Sequence, residues 1–217
     1  MTNEYQAGKI ILSQIGMFNE ARNLFGDVVQ PAILQNIDKC IEDFASSEQW
    51  IGSFEFGEED EFCWLAPNAW NVSDESDDPD ADVWFQLESI NDDEDNYWTA
   101  LLCNQAGAGG EAGFMFYAED KKFGKKRAWN NIFNNIDENL VDELKNLGFK
   151  IVDDESGKKT FFLPIHLDAM KLAETWGDDG EFSENDPCFD PLKAALQKLK
   201  MALPTFDAIL ESLPVRA

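Results

Sequence analysis

Acidic side chains are the most abundant groups in this sequence that could do chemistry. Asp78, Asp80 and Asp82 match the first three ligand positions of a calcium-binding loop. The match then ends, because Val83 stands where such a loop needs a glycine and Ser89 stands where it needs a bidentate glutamate. Weak binding of calcium or magnesium by these carboxylates stays open, but the sequence predicts no dedicated calcium site.

A second arrangement would suit a metal-dependent nuclease. Asp80, Glu119 and Lys121 form a PD…ExK arrangement, in which two carboxylates hold Mg²⁺ and a lysine helps to position the attacking water. Such residues usually lie on neighbouring strands, whereas a further predicted strand separates them here. The surrounding negative charge would also repel a nucleic-acid substrate. A metal-dependent or degenerate PD-(D/E)xK-like nuclease is therefore the alternative function, not the preferred one.

Other catalytic motifs are incomplete. The single histidine, His166, has no serine or cysteine nucleophile motif beside it, and it leaves zinc without a second histidine ligand. The glycine-rich segment 105–113 precedes a predicted strand, whereas a phosphate-binding loop leads into a helix. The cysteines are isolated, and we expect reduced, mostly buried thiols at Cys40, Cys63, Cys103 and Cys188. We therefore expect a protein that is not an enzyme and that uses no cofactor.

The distribution of charge is more informative than any motif. The 217 residues include 43 acids and 17 bases, which gives a formal net charge of −26. Residues 40–120 contain 22 of the acids and no lysine or arginine. A general bias toward acidic proteins would spread along the whole chain. Since 44% of the residues are hydrophobic, the chain should fold. Its negative charge disfavours direct binding to nucleic acid or to an anionic membrane.

Within residues 40–120, acidic bursts alternate with aromatic, strand-like runs, which favours a folded sheet that carries acidic loops. Carboxylates held on a rigid sheet can imitate phosphates and compete for the lysines and arginines that bind DNA or RNA. We expect an acidic inhibitor that mimics nucleic acid and occupies the basic groove of a DNA- or RNA-binding protein or a nuclease. Anti-restriction proteins, anti-CRISPR proteins and immunity proteins against nuclease toxins belong to this class. The other interpretation is that the acidic loops only keep the protein soluble.

The expected partner-binding residues are the carboxylates of two acidic bursts. They are Asp74, Glu75, Asp77, Asp78, Asp80, Asp82, Asp92, Asp93, Glu94 and Asp95. The basic run at 120–129 is interpreted either as an anion site or as a counter-charge that pairs with the acidic loops. A further alternative is an oligomeric structural or immunity protein, with a homodimer formed through the leucine-bearing face at 189–203.

Hydrophobic periodicity predicts the elements that carry these residues. Helices are expected at 4–25, from Pro31 to Phe44, from Asp137 to Gly148, at 168–176, at 190–203 and at 206–213. Strands are expected at 50–56, 62–65, 83–90, 97–104, 113–118, 149–152 and 160–165. Gly26 should end the first helix, so that the first two helices form an antiparallel pair, and Pro204 should end the helix that starts at 190.

These elements predict an α+β fold. Residues 1–48 form an N-terminal helical pair. Residues 49–217 form an α+β domain with a central antiparallel β-meander, acidic loops, and C-terminal helices that accompany a β-hairpin; the whole is one continuous globular unit. The N-terminus has no signal-sequence pattern and no apolar stretch reaches membrane length, so we expect a cytoplasmic protein.

Overall fold

A computed structural model of the chain describes residues 3–57, 62–70, 81–91 and 96–212. Its strands are β1 (Trp50–Glu55), β2 (Phe62–Pro67), β3 (Val83–Ile90), β4 (Glu111–Ala118), β5 (Lys150–Asp153) and β6 (Lys159–Pro164). They form one sheet in the order β1-β2-β3-β4-β6-β5, and every neighbouring pair is antiparallel. The predicted meander is confirmed for β1 to β4, and the predicted hairpin extends the same sheet through β6.

Helices lie on both sides of the strands in sequence. They are α1 (Asn3–Ser13), α2 (Ile15–Leu24), α3 (Gln30–Glu48), α4 (Trp98–Leu102), α5 (Asp120–Phe123), α6 (Lys126–Phe133), α7 (Glu138–Leu147), α8 (Ala169–Asp179) and α9 (Asp190–Ser212). Asp137 and Asp168 accept backbone N–H bonds at the starts of α7 and α8, and Gly148 ends α7 in the left-handed conformation. The predicted α+β layout is confirmed. None of the helices in the described segments is long and apolar enough to cross a membrane.

The predicted reversal at Gly26 is wrong. Phe25–Val29 form a π-helical turn, and the right-handed helical conformation continues through it from α2 into α3. Pro31 has no N–H to donate to the preceding turn, and a wider π turn accommodates that lost hydrogen bond. The ring of Phe25 lies 4.8 Å from that of Tyr97, which holds the turn against the body. The first two predicted helices therefore follow one another instead of packing antiparallel.

The predicted strand at 97–104 is also wrong, because α4 occupies this segment. Leu101 and Leu102 are both buried, and two consecutive buried side chains fit one side of a helix better than a strand with a single covered face. Trp98 and Leu102 are four residues apart, a helical spacing that the strand interpretation overlooked. As a consequence β3 and β4 are direct neighbours, paired from Val83 and Ala118 to Ile90 and Glu111.

The core lies between the helices and one face of the sheet. Phe206 of α9 is fully buried at its centre. Its ring lies within 6.2 Å of the rings of Trp70, Phe85, Phe116, Phe149 and Phe161. Among the described residues, every ring contact between a helix and a strand falls on this face of the sheet.

Pro204 lies inside α9, so the prediction that it ends the helix is wrong. Pro204 is exposed, whereas Leu199, Ala202 and Phe206 on either side of it are buried. Packing of both halves of α9 into the core compensates for the backbone hydrogen bond that the proline cannot donate. Local sequence rules therefore yield to tertiary contacts at this position.

Candidate functional site

Most of the predicted partner-binding carboxylates lie outside the described residues. These are Asp74, Glu75, Asp77, Asp78, Asp80, Asp92, Asp93, Glu94 and Asp95. Asp82 is described, and its carboxylate forms an ion pair with Lys122 of α5. Its backbone N–H donates to Trp70 and its carbonyl accepts from the N–H of Glu119. Asp82 is thus engaged within the fold, and its pair with Lys122 agrees with the counter-charge interpretation of the basic run.

The strand register shows where the acidic segments join the sheet. Glu55 pairs with Phe62, and Ile90 pairs with Glu111, so the segments 58–61 and 92–95 join the same end of the sheet. The segment 71–80 joins the opposite end, because Val83 pairs with Ala118 there. The eight residues of β3 separate the two ends by about 25 Å at the usual rise per residue. The two predicted acidic bursts are therefore attached at opposite ends of one strand.

The face of the sheet that is opposite the core carries a polar and aromatic network. We call it the polar face and define it by Trp84, Gln86, Glu88, Met115 and Tyr117. Side chains two apart on β3 share this face, and the pairing of Trp84 with Tyr117 and of Gln86 with Met115 places β4 side chains beside them. The rings of Trp84 and Tyr117 stack with centroids 5.5 Å apart.

A chain of hydrogen bonds crosses the polar face and ends on one carboxylate. The Trp84 Nε1–H donates to Gln86 Oε1 at 3.0 Å, and Gln86 Nε2 donates to Glu88 Oε1 at 2.6 Å. The Tyr117 hydroxyl donates to the same Glu88 oxygen at 3.3 Å. Burial raises the pKa of Glu88, which the hydrogen bond from Tyr117 partly offsets. Burial, together with the negative charge of Glu88, also raises the pKa of Tyr117.

A cavity of about 500 Å³ opens beside this network, and its charged lining is entirely acidic. Glu88 and Tyr117 form one wall, and Asp153 at the end of β5 forms the other together with Asp154 and Glu155 of the β5–β6 connection. None of the described residues that line it is a lysine, arginine or histidine. Backbone N–H and hydroxyl donors hold the turn, since Asp154 accepts from the Lys158 N–H and from Ser156. The cavity presents several carboxylates to whatever enters it.

These acids are not among the residues that the sequence predicts to bind a partner. Alternation along 83–90 predicts only a mixed strand face for Trp84, Gln86 and Glu88, and residues 153–155 fall in the predicted hairpin. The alternation along β3 was the available indication, because it places a glutamate between aromatic neighbours. What the sequence could not supply is the position of β5, which lies two strands away from β4 in the sheet.

The PD…ExK arrangement gains one favourable feature from the fold. Since β3 and β4 are neighbours, the residue before β3 and the residue after β4 are hydrogen-bonded, from the Glu119 N–H to the Asp82 carbonyl at 2.9 Å. Asp80 and the side chain of Lys121 lie outside the described part of the chain. Within the described segments, no group of three or more histidine, cysteine, aspartate or glutamate side chains is placed to hold a metal ion.

Several smaller predictions can also be compared with the structure. The glycine-rich segment forms a short 3-10 turn at Gly107–Gly109 that precedes β4, as expected for a connection and not for a phosphate loop. The four cysteines are free thiols, as expected, and burial raises the pKa of Cys40 and of Cys103 to about 11. His166 lies 3.5 Å from Glu111, whose carboxylate also accepts from Lys150.

The prediction that the leucine-bearing face at 189–203 forms a dimer surface is wrong. Phe189, Leu192, Leu196 and Leu199 are all at most 1% exposed, because this side of α9 packs into the core of the same chain. A helical apolar stripe alone cannot distinguish an interface from a core-facing surface.

Comparison with protein families, with curated proteins and with solved structures found no match to this chain. The functional argument therefore depends on the chain's own charge and geometry.

Proposed function

We propose that this protein is a non-enzymatic inhibitor whose acidic surface occupies the basic, nucleic-acid-binding groove of another protein. The contact residues are the predicted carboxylates of 74–80 and 92–95, together with the acids of the cavity on the polar face. Asp82 is left out of this set because its carboxylate is paired with Lys122.

The observation that carries the proposal is the separation of charge along the chain. Residues 40–120 contain 22 acids and no lysine or arginine. A continuous antiparallel sheet holds the described ends of their segments in fixed register. Negative groups on a rigid support lose little entropy when they meet a basic groove, and they displace the same counterions that a nucleic acid would.

The acid-lined cavity supports the same kind of partner. A cavity of about 500 Å³, whose charged residues in the described part of the chain are all acidic, favours a cationic group over an anionic one. The ring of Tyr117 and the carboxylate of Glu88, which both line the cavity, suit the guanidinium group of an arginine, because that group pairs with carboxylates and stacks on rings. Basic grooves that bind DNA or RNA are rich in such side chains, as in restriction enzymes, RNA-guided nucleases and nuclease toxins.

The test is capture of proteins from a bacterial lysate on the immobilised full chain, with identification of those that elute between about 50 and 200 mM salt. For each captured protein, the binding of labelled double-stranded DNA or RNA is then measured with and without this chain. We expect competition that weakens steeply with added salt.

Two charge-neutralised variants and one matched control make this test specific. One variant changes Asp92, Asp93, Glu94 and Asp95 to their amides, and the other does the same at 74–80. The control neutralises four exposed acids on and just after α8, which are Glu174, Asp178, Asp179 and Glu181. The proposal predicts weaker competition for both variants and unchanged competition for the control. Equal competition by all the proteins would refute it.

A metal-dependent nuclease is the second candidate, because Asp82, two residues after Asp80, is hydrogen-bonded to Glu119 across the neighbouring strands β3 and β4. Calorimetric titration with Mg²⁺ or Mn²⁺, and a cleavage assay on plasmid DNA and on RNA, test it directly. Metal binding and cleavage that are both lost in the Asp80→Asn variant would favour the nuclease over the inhibitor. If the wild-type chain shows neither metal binding nor cleavage, the nuclease candidate is excluded.

A further inference from the structure

The N-terminal helices expose an unusual number of apolar side chains. We call residues 3–24, which form α1 and α2, the arm. No residue of α2 is buried. The large apolar side chains of the arm that are more than half exposed are Tyr5, Ile10, Leu12, Ile15, Met17, Phe18 and Leu24. Within α2, Met17 and Leu24 are seven residues apart and Ile15 and Phe18 are three apart, so each pair lies on one side of this helix.

An apolar cavity lies next to the C-terminal end of the arm. The cavity has a volume of about 410 Å³ and lies between the π turn, α4 and α8. Phe25 and Val29 of the π turn line one side, and Leu172, Trp176 and Phe182 line the other. None of the described residues that line it is charged. Since α2 runs through the π turn into α3 as one helix, the exposed Leu24 at the end of α2 directly precedes Phe25 of the cavity lining.

Charge limits what can cover this surface. The arm carries Glu4, Lys9, Glu20 and Arg22, so it has no net charge, although the whole chain has −26. A helix that lies on an anionic membrane is rich in lysine and arginine on its polar side, and this arm is not. A basic groove would be attracted to the acidic segments and not to a neutral apolar helix. The chemistry of the surface therefore fits another neutral apolar helix.

The surface area also fits a second copy of this chain. The four exposed apolar side chains of α2, at about 60–120 Å² each, provide roughly 240–480 Å² per copy, which together with the apolar lining of the cavity suits a small interface of a weak dimer. A two-fold arrangement lets the arm of each copy cover the cavity of the other and buries the same patch on both. The acidic segments are attached to strands of the sheet and not to the arm. Such a dimer therefore does not require the acidic segments of the two copies to approach each other.

We propose that the chain forms a two-fold dimer through the arm and the apolar cavity at its base. This interface is separate from the acidic surface of the proposed function, and each can fail without the other. In the dimer the arm's apolar side chains leave water, and the acidic surfaces of the two copies stay free. The protein would then present two acidic surfaces to its partners.

Sedimentation equilibrium of the full chain from about 1 to 100 μM tests the proposal. We expect twice the chain mass of 24.6 kDa at the upper concentrations. The double variant Met17→Ser/Phe18→Ser should raise the dissociation constant by about a hundredfold or more, because two apolar side chains are lost from each copy. Met201→Ser is the matched control, since Met201 is 63% exposed on α9 and Met17 is 61% exposed on the arm. Circular dichroism spectra should be the same for all three proteins, since the altered side chains lie outside the core.

Three results would overturn the proposal. The first is a wild-type chain that stays monomeric throughout this concentration range. The second is a dimer that both variants weaken equally or that neither weakens. The third is a monomer that floats with phosphatidylcholine vesicles, which would assign the arm to a lipid surface instead.

Discussion

Asp38 is predicted to fix the point where the acidic segment 58–61 leaves β1. This carboxylate of α3 is 8% exposed, and it accepts the N–H of Phe56 at 3.0 Å through Oδ1 and the N–H of Gly57 at 2.6 Å through Oδ2. Both N–H groups lie beyond the last pair of the β1–β2 ladder, Glu55 with Phe62, so the carboxylate takes the place of a strand partner. Hydrogen bonds to a charged acceptor stabilise by about 1.5–3 kcal/mol each.

Replacing Asp38 with alanine should therefore lower the free energy of unfolding by about 3 kcal/mol. The two lost bonds amount to about 3–6 kcal/mol, and relief from the desolvation of a buried carboxylate returns part of that amount. Asp38→Asn should cost about half as much, because the amide keeps one acceptor oxygen but turns a donor toward the second N–H group. Glu42→Gln is the control, since Glu42 is exposed on the same helix, and it should change stability by less than about 0.5 kcal/mol.

The measurement is equilibrium unfolding in guanidinium chloride, followed by the fluorescence of the seven tryptophans. Midpoints and slopes of the three variants give the free-energy differences. If Asp38→Ala and Asp38→Asn both unfold within about 0.5 kcal/mol of the wild type, the carboxylate does not anchor this end of β1. If the asparagine variant is as unstable as the alanine variant, the charge of Asp38 matters more than its two-acceptor geometry.

Two further predictions follow from the network on the polar face and from the proline inside α9. Burial raises the pKa of Glu88, so ionisation of Glu88 costs the folded state more than the unfolded state and stability falls as pH rises through the folded pKa. Glu88→Gln should therefore be more stable than the wild type at pH 7, and the difference in thermal midpoint should shrink as pH falls toward about 4; a difference that is independent of pH would contradict the role of burial. Pro204→Ala should raise the free energy of unfolding by about 1–3 kcal/mol, because it restores a backbone hydrogen bond in a helix that is already formed, and a loss of stability in guanidinium chloride would show that the proline is required.

The fold was largely predictable from the sequence, and the predictions that were wrong have physical causes. Alternation along β3 and the two N-caps, Asp137 and Asp168, are local signals that survive in the structure. Gly26 and Pro204 are helix breakers by local rules, yet both lie inside helical segments because side chains next to them pack against the body. The segment 97–104 combines aromatic and β-branched residues, which strands favour, with the four-residue spacing that helices need.

The candidate site was less predictable, because it depends on which strands become neighbours. The acidic bursts were visible in the sequence, but their attachment at opposite ends of β3 follows only from the register of β3 with β4. The cavity on the polar face joins Glu88 to Asp154 and Glu155, which are more than sixty residues away in sequence. The placement of β6 beside β4 brings them together, and no local pattern encodes it.

The ion pairs of the described residues show which acids of the window 40–120 are neutralised within the fold. Four lysines that follow residue 120 pair with acids of the window 40–120. These pairs are Lys122 with Asp82, Lys158 with Asp120, Lys150 with Glu111, and Lys200 with Glu48. Exposed pairs of this kind contribute at most about 1 kcal/mol each, so the apolar core and not the pairing holds the fold together.

The larger effect of these pairs is on the charge that a partner meets. Each pair neutralises one lysine beside the window 40–120. Three of the four paired acids lie outside the predicted contact set. Asp82 is the exception, and it lies next to the start of β3, where the ion pair with Lys122 ties the sheet to α5. Among the described residues, these lysines therefore neutralise acids that lie outside the proposed contact carboxylates of 74–80 and 92–95. This division of roles is what an inhibitor that imitates a nucleic acid requires, because a mimic that paired its own carboxylates would have none left for its target.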